Sequence, residues 1–209
     1  MPTEETMTET LVLIRAGQTG YEREGRIRGT LEVPLCEEGL AQAQSRARAV
    51  QAWRPEALYA ADDAAARETA AVIGRFGLSP RGLTGLVNLD HGLWQGLLVD
   101  EIRRRQPRLH RLRREDPWQV TPPRGEPFAV ACERVETAVA KMLRRHPGGS
   151  VGLVVPEPLE RIVRWLVAGE NVGDLWREGD EASAVVGLPV RAQWDQPAQR
   201  RPAIPSVSR

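Results

Sequence analysis

The chain has 209 residues, of which 41% are hydrophobic and 27% are charged. This length suits one α/β domain of ordinary size, or at most two small ones, and allows a substantial core. The formal net charge of +1 argues against a nucleic-acid coat or an acidic-substrate funnel that works through overall charge.

The remaining composition excludes further protein classes. Two cysteines are too few for a disulfide framework, and no spacing of His, Cys, Asp or Glu suggests a metal site. Apolar runs fall short of the roughly 18 residues that a membrane span needs. The first ten residues are acidic and polar, unlike a secretory signal. We therefore expect a soluble cytoplasmic protein without a metal or cofactor.

Short apolar runs alternate with helical patterns along the chain. The runs that predict strands are residues 11–15, 57–60, 150–155 and 184–188. Apolar spacing predicts helices over residues 37–53, 66–76, 127–145 and 159–167. This alternation predicts a three-layer α/β/α sandwich around a largely parallel sheet, spanning residues 10–194.

Three segments depart from this pattern. Residues 1–9 and 195–209 are polar and are predicted to be disordered. Residues 103–124 contain eight arginines and four prolines. They are interpreted either as a solvated surface with extended arginine side chains or as an anion-binding face. Because only Trp118 could stack on a base there, nucleic-acid binding is poorly supported.

Several blocks resemble the histidine phosphatase superfamily, in the branch of the cofactor-dependent phosphoglycerate mutases. They follow one another in the order of that family, at residues 13–19, 25–29, 34–43, 59–70, 92–96, 125–126 and 171–188. The resemblance implies a phosphoglycerate mutase-like fold, in which residues 103–124 form a small helical cap over the pocket. It also implies that a homodimer is possible.

The family's chemistry uses a phosphorylated histidine, a second histidine, two arginines and a glutamate acid. The resemblance places Arg15 at the first arginine, and the other key positions have changed. The replacements are Ala16 for the nucleophilic histidine, Glu22 for a loop asparagine, Ala65 for the second arginine, Asn88 for the acid and Glu157 for the second histidine. Together with Arg28, these residues form the predicted relict pocket. The resemblance therefore implies a degenerate member with no catalytic residues.

Several roles remain open for such a pocket. It could be an internal cluster of salt bridges, or an altered site for a zwitterionic or cationic ligand. It could also be a rebuilt enzyme site with Glu157, Glu22 or His91 as base, or a residual phosphomonoesterase with an unrecognised nucleophile. A binding, regulatory or structural module without activity is the interpretation that we favour, with an unknown protein or small molecule as partner. His110 and His146 are predicted to be solvated.

Overall fold

The computed structural model describes residues 9–172, 175 and 181–190. Five strands of this part of the chain form one sheet in the order β3-β2-β4-β1-β5, and β5 alone runs antiparallel to its neighbour. The strands are β1 (Thr10–Arg15), β2 (Ala57–Ala61), β3 (Pro80–Leu83), β4 (Ser150–Val155) and β5 (Val185–Pro189). The predicted α/β architecture with a largely parallel sheet is confirmed.

Helices fill the connections between the strands. They are α1 (Gly20–Arg23), α2 (Glu37–Gln51), α3 (Ala64–Gly74), α4 (Val99–Arg105), α5 (Pro107–Glu115), α6 (Phe128–Leu143) and α7 (Glu157–Ala168). Helix α2 packs on α3 and α6 packs on α7. Strands β1 and β4 are buried from their second residue onward. Their unbroken apolar sequences are typical of central parallel strands that are covered on both faces.

The predicted strands and the four long helices are found within a few residues of their expected bounds, and β3 was missed. Three of its four residues, Pro80, Arg81 and Gly82, are exposed, so the strand carries no apolar pattern. It lies at the edge of the sheet, where proline and a charged residue are tolerated. Helix α7 begins at Glu157, two residues earlier than predicted, because Pro158 occupies its first turn.

The loop after β1 is fixed by a close approach to the start of α2. A Cβ atom on Gly17 would clash with the carbonyl of Gly39, and one on Gly39 would clash with the backbone of Gln18. Only glycine permits two backbones to pack this closely. Cys36 precedes α2 as its N-cap residue and makes no capping hydrogen bond through its side chain, as expected for a thiol.

The arginine-rich segment is helical and only partly solvated. It contains the end of α4, all of α5 and a 3₁₀ turn over Pro117–Gln119. Seven of its eight arginines are exposed, whereas Arg113 is buried with 2% of its surface accessible. His110 is buried as well, so the prediction that it is solvated is wrong. Both side chains lie on the inner face of α5, which covers the protein interior.

His146 also differs from the prediction. It is half-buried, its Nδ1 lies 3.0 Å from Glu56 Oε1, and its Nε2 lies 3.0 Å from the Tyr59 hydroxyl. The predicted disordered segments 1–9 and 195–209 lie outside the described residues, except for Glu9. The amide of Glu9 donates to the Gly149 carbonyl, and its own carbonyl accepts from Val190, which ties this residue to the sheet.

Candidate functional site

A cavity of about 180 Å³ opens at the carboxyl ends of β1 and β4. Residues 15–18 line it from the end of β1, and residues 156–158 line it from the end of β4. The Ala16 amide donates to the Val155 carbonyl, at 2.7 Å, and holds the two strand ends together. Ligand sites of open α/β sheets lie at this edge. The charged residues that line the cavity are Arg15, Arg26, Arg28, Arg46, Glu22, Glu157 and Glu181.

The predicted pocket residues are brought together with one exception. Six of them line the cavity: Arg15, Ala16, Glu22, Arg28, Asn88 and Glu157. Ala65 does not line it; it lies in the first turn of α3 and is fully buried in the hydrophobic core. Ala16 is also almost inaccessible, with 8% of its surface exposed.

Arg28 is held by two carboxylates. Its Nε donates to Glu22 Oε1 at 3.2 Å, and its Nη1 donates to Asp63 Oδ2. Arg28 and Asp63 are each 4% exposed. Asp63 also caps α3, since its Oδ1 accepts from the Ala66 amide at 2.9 Å. Burial raises the pKa of Asp63, against the opposing effect of the Arg28 charge.

Arg15 is opposed by the carboxylate of Glu157. Its Nη1 lies 3.7 Å from Glu157 Oε1, and the same oxygen lies 3.3 Å from Nη2 of Arg161. Arg15 is buried, whereas Glu157 retains 20% of its side-chain surface. Glu157 lies in the first turn of α7, where the helix dipole favours a negative charge.

Arg46 and Glu181 were not predicted as site residues. Arg46 is 4% exposed, its Nε and Nη2 donate to the two Glu181 oxygens at 3.1 and 2.6 Å, and its Nη1 donates to the Arg15 carbonyl at 2.8 Å. Arg46 looks in the sequence like a surface residue of α2, with no motif to mark it. The fourth arginine, Arg26, donates to Glu24 at 2.7 Å and to the Gly96 carbonyl at 2.9 Å.

Asn88 and His91 form the uncharged part of the lining. The Asn88 amide donates to the Gly29 carbonyl at 2.8 Å, and its oxygen accepts from the Leu89 amide, so both ends of this side chain are occupied. His91 is 2% exposed, and its Nδ1 has no hydrogen-bond partner among the described residues. Burial, with a smaller contribution from the Arg113 charge, lowers the pKa of His91 to about 3. Its imidazole is therefore neutral near pH 7.

The described part of the chain contains no group of three or more His, Cys, Asp or Glu residues that could hold a metal ion. Within the same residues, no helix is both long enough and apolar enough to cross a membrane. The polar groups that line the cavity are arginines, carboxylates, amides and one imidazole.

Comparison with known proteins relates this architecture to phosphatases. The chain is 27% identical over 175 residues to phosphoserine phosphatase 1 of Hydrogenobacter thermophilus, which is 83% of each chain. It is 31% identical over 156 residues to the metal-independent phosphoserine phosphatase of Arabidopsis thaliana, covering 72% of this chain and 65% of the relative.

The fold is also similar to that of a phosphatase whose structure has been solved. The mycobacterial glucosyl-3-phosphoglycerate phosphatase in complex with VO3 superposes with a TM-score of 0.73 at 29% identity, over 82% of this chain and 88% of the other. The sequence profile of the histidine phosphatase superfamily (branch 1) matches residues 11–188. This chain therefore belongs to the histidine phosphatase superfamily, branch 1.

Proposed function

We propose that this protein has lost phosphoryl transfer and uses the former active-site cavity to bind a small zwitterionic or cationic molecule. The observation that carries the proposal is that every arginine lining the cavity lies against a carboxylate. The four arginine–glutamate pairs are Arg15 with Glu157, Arg26 with Glu24, Arg28 with Glu22 and Arg46 with Glu181. A phosphate dianion needs cationic groups whose charge is not already matched.

The covalent step of the family is closed in this chain. Ala16 stands at the nucleophile's position, and a methyl group cannot attack phosphorus. In another covalent enzyme, loss of the nucleophile alone lowers turnover by about 10⁶-fold. At the position of the general acid, the Asn88 amide has no acidic proton to give to a leaving oxygen, and both of its ends are occupied.

The charge of Glu157 further opposes phosphate binding. Two like charges about 4 Å apart repel by about 4 kcal/mol at an effective dielectric constant of 20. This repulsion offsets much of the attraction that Arg15 could offer to an anion. A ligand that carries a positive charge, alone or beside a negative one, avoids this penalty.

A turnover assay tests the loss of activity. The purified protein is incubated with p-nitrophenyl phosphate from pH 4 to pH 9, next to an Arg15→Ala variant prepared in parallel. We expect the two preparations to release p-nitrophenol at the same background rate. Turnover that is present in the wild type and abolished by Arg15→Ala would refute the proposal.

A second candidate function is favoured by His91. Its imidazole belongs to the cavity lining and is neutral near pH 7, so it could replace the missing nucleophile in a residual phosphomonoesterase. Under this alternative, His91→Asn abolishes turnover and a phosphorylated histidine is trapped by rapid acid quench. If the wild type shows no turnover above the Arg15→Ala background, this candidate is excluded together with any other phosphatase route.

A further inference from the structure

A groove lies between helix α3 and the edge strand β3, apart from the cavity at the strand ends. It has a volume of about 610 Å³ and shares no lining residue with that cavity. Residues 79–82 form one wall, and residues 67, 70, 71, 74 and 75 form the other at helical spacing. The helical wall is about 12 Å long and the strand wall about 10 Å. Because both walls are elongated, the groove suits an extended chain better than a compact molecule.

Two glycines set the shape of this groove. A Cβ atom on Gly74 would lie 2.9 Å from the ring of Pro80, so α3 approaches β3 closely there. A Cβ atom on Gly82 would meet no other atom within 4 Å, so space is left beside the second half of the strand. Glycine inside a strand is typical of a place where a ligand or another backbone comes close.

The outer edge of β3 is unpaired. Strand β2 pairs with one side of β3, and no described strand pairs with the other side. Apart from this ladder, the backbone of residues 79–82 makes no hydrogen bond within the described part of the chain. In an edge strand, alternate N–H and C=O groups point outward and can pair with a further strand. An extended peptide could therefore add to the sheet along β3.

The charge of the groove is positive and partly unmatched. None of the described residues that line it is acidic. Arg67 is held by Glu32 and Asp62, at 2.7 and 2.8 Å. The side chains of Arg75 and Arg81 are exposed and form no ion pair or hydrogen bond with any described residue. These two guanidinium groups are available to carboxylates of a ligand, unlike the arginines of the cavity.

We propose that the groove binds an acidic peptide segment of a partner protein, which adds to the sheet as a strand beside β3 and places carboxylates at Arg75 and Arg81. Main-chain hydrogen bonds to β3 hold the peptide, and charge-assisted hydrogen bonds to the two guanidinium groups select its acidic side chains. This inference goes beyond the proposed function and is independent of it, because the groove and the cavity have no residue in common.

A second copy of this chain is a less suitable occupant. Antiparallel pairing of two β3 edges about a two-fold axis brings the same surface of both copies together, so their Arg81 side chains approach each other. Like charges that face each other across two strands are destabilising. The arginine that disfavours self-pairing is therefore the one that attracts an acidic strand.

The experiment uses peptides that differ in charge or in hydrogen bonding. The probe is an acetylated and amidated hexapeptide in which glutamate alternates with valine. The second peptide has lysine in place of glutamate. The third is the glutamate peptide with every backbone nitrogen methylated, which keeps its charge and removes the N–H groups that strand addition needs. Binding of each to the full chain is measured by isothermal titration calorimetry at pH 7.

We expect the glutamate peptide to bind about tenfold more tightly than either of the others. The double variant Arg75→Glu with Arg81→Glu should reverse the preference, so that the lysine peptide binds more tightly. Arg108→Glu with Arg111→Glu is the matched control. These two exposed arginines of α5 do not line the groove, and their replacement changes the net charge by the same amount. The control should therefore keep the preference of the wild type.

Three results would overturn the inference: no saturable binding of the glutamate peptide, equal affinities for the glutamate and lysine peptides, or equal effects of the two double variants. Undiminished binding of the methylated peptide would refute strand addition. Light scattering tests the competing occupant, because a dimer whose formation excludes the glutamate peptide would assign the groove to a second copy of the chain. Circular dichroism and melting temperature verify that each variant is folded.

Discussion

The buried Arg28–Asp63 pair allows a direct test of how the cavity is held together. Both residues are 4% exposed, and Asp63 also caps α3 through the Ala66 amide. Removing one partner of a buried ion pair costs about 3–5 kcal/mol, because the remaining charge is left without compensation. Since Arg28 keeps its contact with Glu22, we expect Asp63→Asn to lower the free energy of unfolding by about 3 kcal/mol, the low end of that range.

Asp63→Ala serves as the matched variant. It removes the same charge and also the capping oxygen, whose loss costs about 1 kcal/mol more. Both variants are measured by urea unfolding followed by circular dichroism at pH 7. A loss below about 1 kcal/mol for Asp63→Asn would refute the reasoning, because it would place the pair in a solvent-screened environment.

The reciprocal variant Arg28→Met has a different pH dependence. Burial already raises the pKa of Asp63, and removing the Arg28 charge raises it further. The folded variant then binds more protons than its unfolded chain, so its stability rises relative to the wild type as the pH falls from 7 to 5. The penalty of Asp63→Asn should instead grow as the pH falls, because the wild type keeps a carboxyl whose pKa is raised on folding and the variant lacks it. Equal pH profiles for the two variants would contradict this account.

Three further predictions concern His91, Cys132 and Cys36. The pKa of His91 is lowered to about 3, so the unfolded chain gains a proton below about pH 6.5 and the folded protein does not. The wild type should therefore lose about 2 kcal/mol more stability than His91→Leu between pH 7 and pH 5 in urea titrations, at 1.36 kcal/mol per pKa unit. Burial raises the pKa of Cys132 to about 12, so Ellman's reagent at pH 8 should modify Cys36 alone in the folded protein and both thiols in urea. Cys36→Ser should stabilise α2 by about 1 kcal/mol in thermal unfolding, because a hydroxyl caps where the thiol does not, whereas Cys36→Ala should bring no gain.

The fold could be predicted from the sequence because its signals are local. The unbroken apolar runs of β1 and β4 and the amphipathic spacing of α2 and α6 appear directly in the order of residues. The edge strand β3 could not be found this way, since its exposed residues lack a pattern. The burial of His110 and Arg113 was missed for a related reason. Among so many arginines, nothing in the sequence of α5 distinguishes the face that packs inward.

The sequence predicted part of the set of residues that line the cavity. It did not predict which of these residues form ion pairs with one another. Loop motifs located Arg15, Glu22 and Glu157 near one another. Asp63 could have been recognised as a helix N-cap from the alanine-rich helix that follows it, but its contact with Arg28 depends on how two distant loops meet. Ala65 was predicted to line the cavity because of its position in a motif, and it does not. A side chain as small as alanine need not reach the cavity from that position, and Ala65 is buried in the core instead.

The ion pairs between arginines and carboxylates decide which chemistry the cavity can support. A list of lining residues with four arginines would suggest an anion site, as in a phosphatase. The contacts change that interpretation, because each of these guanidinium groups already faces a carboxylate. The positive charge at the strand ends is therefore matched by neighbouring carboxylates.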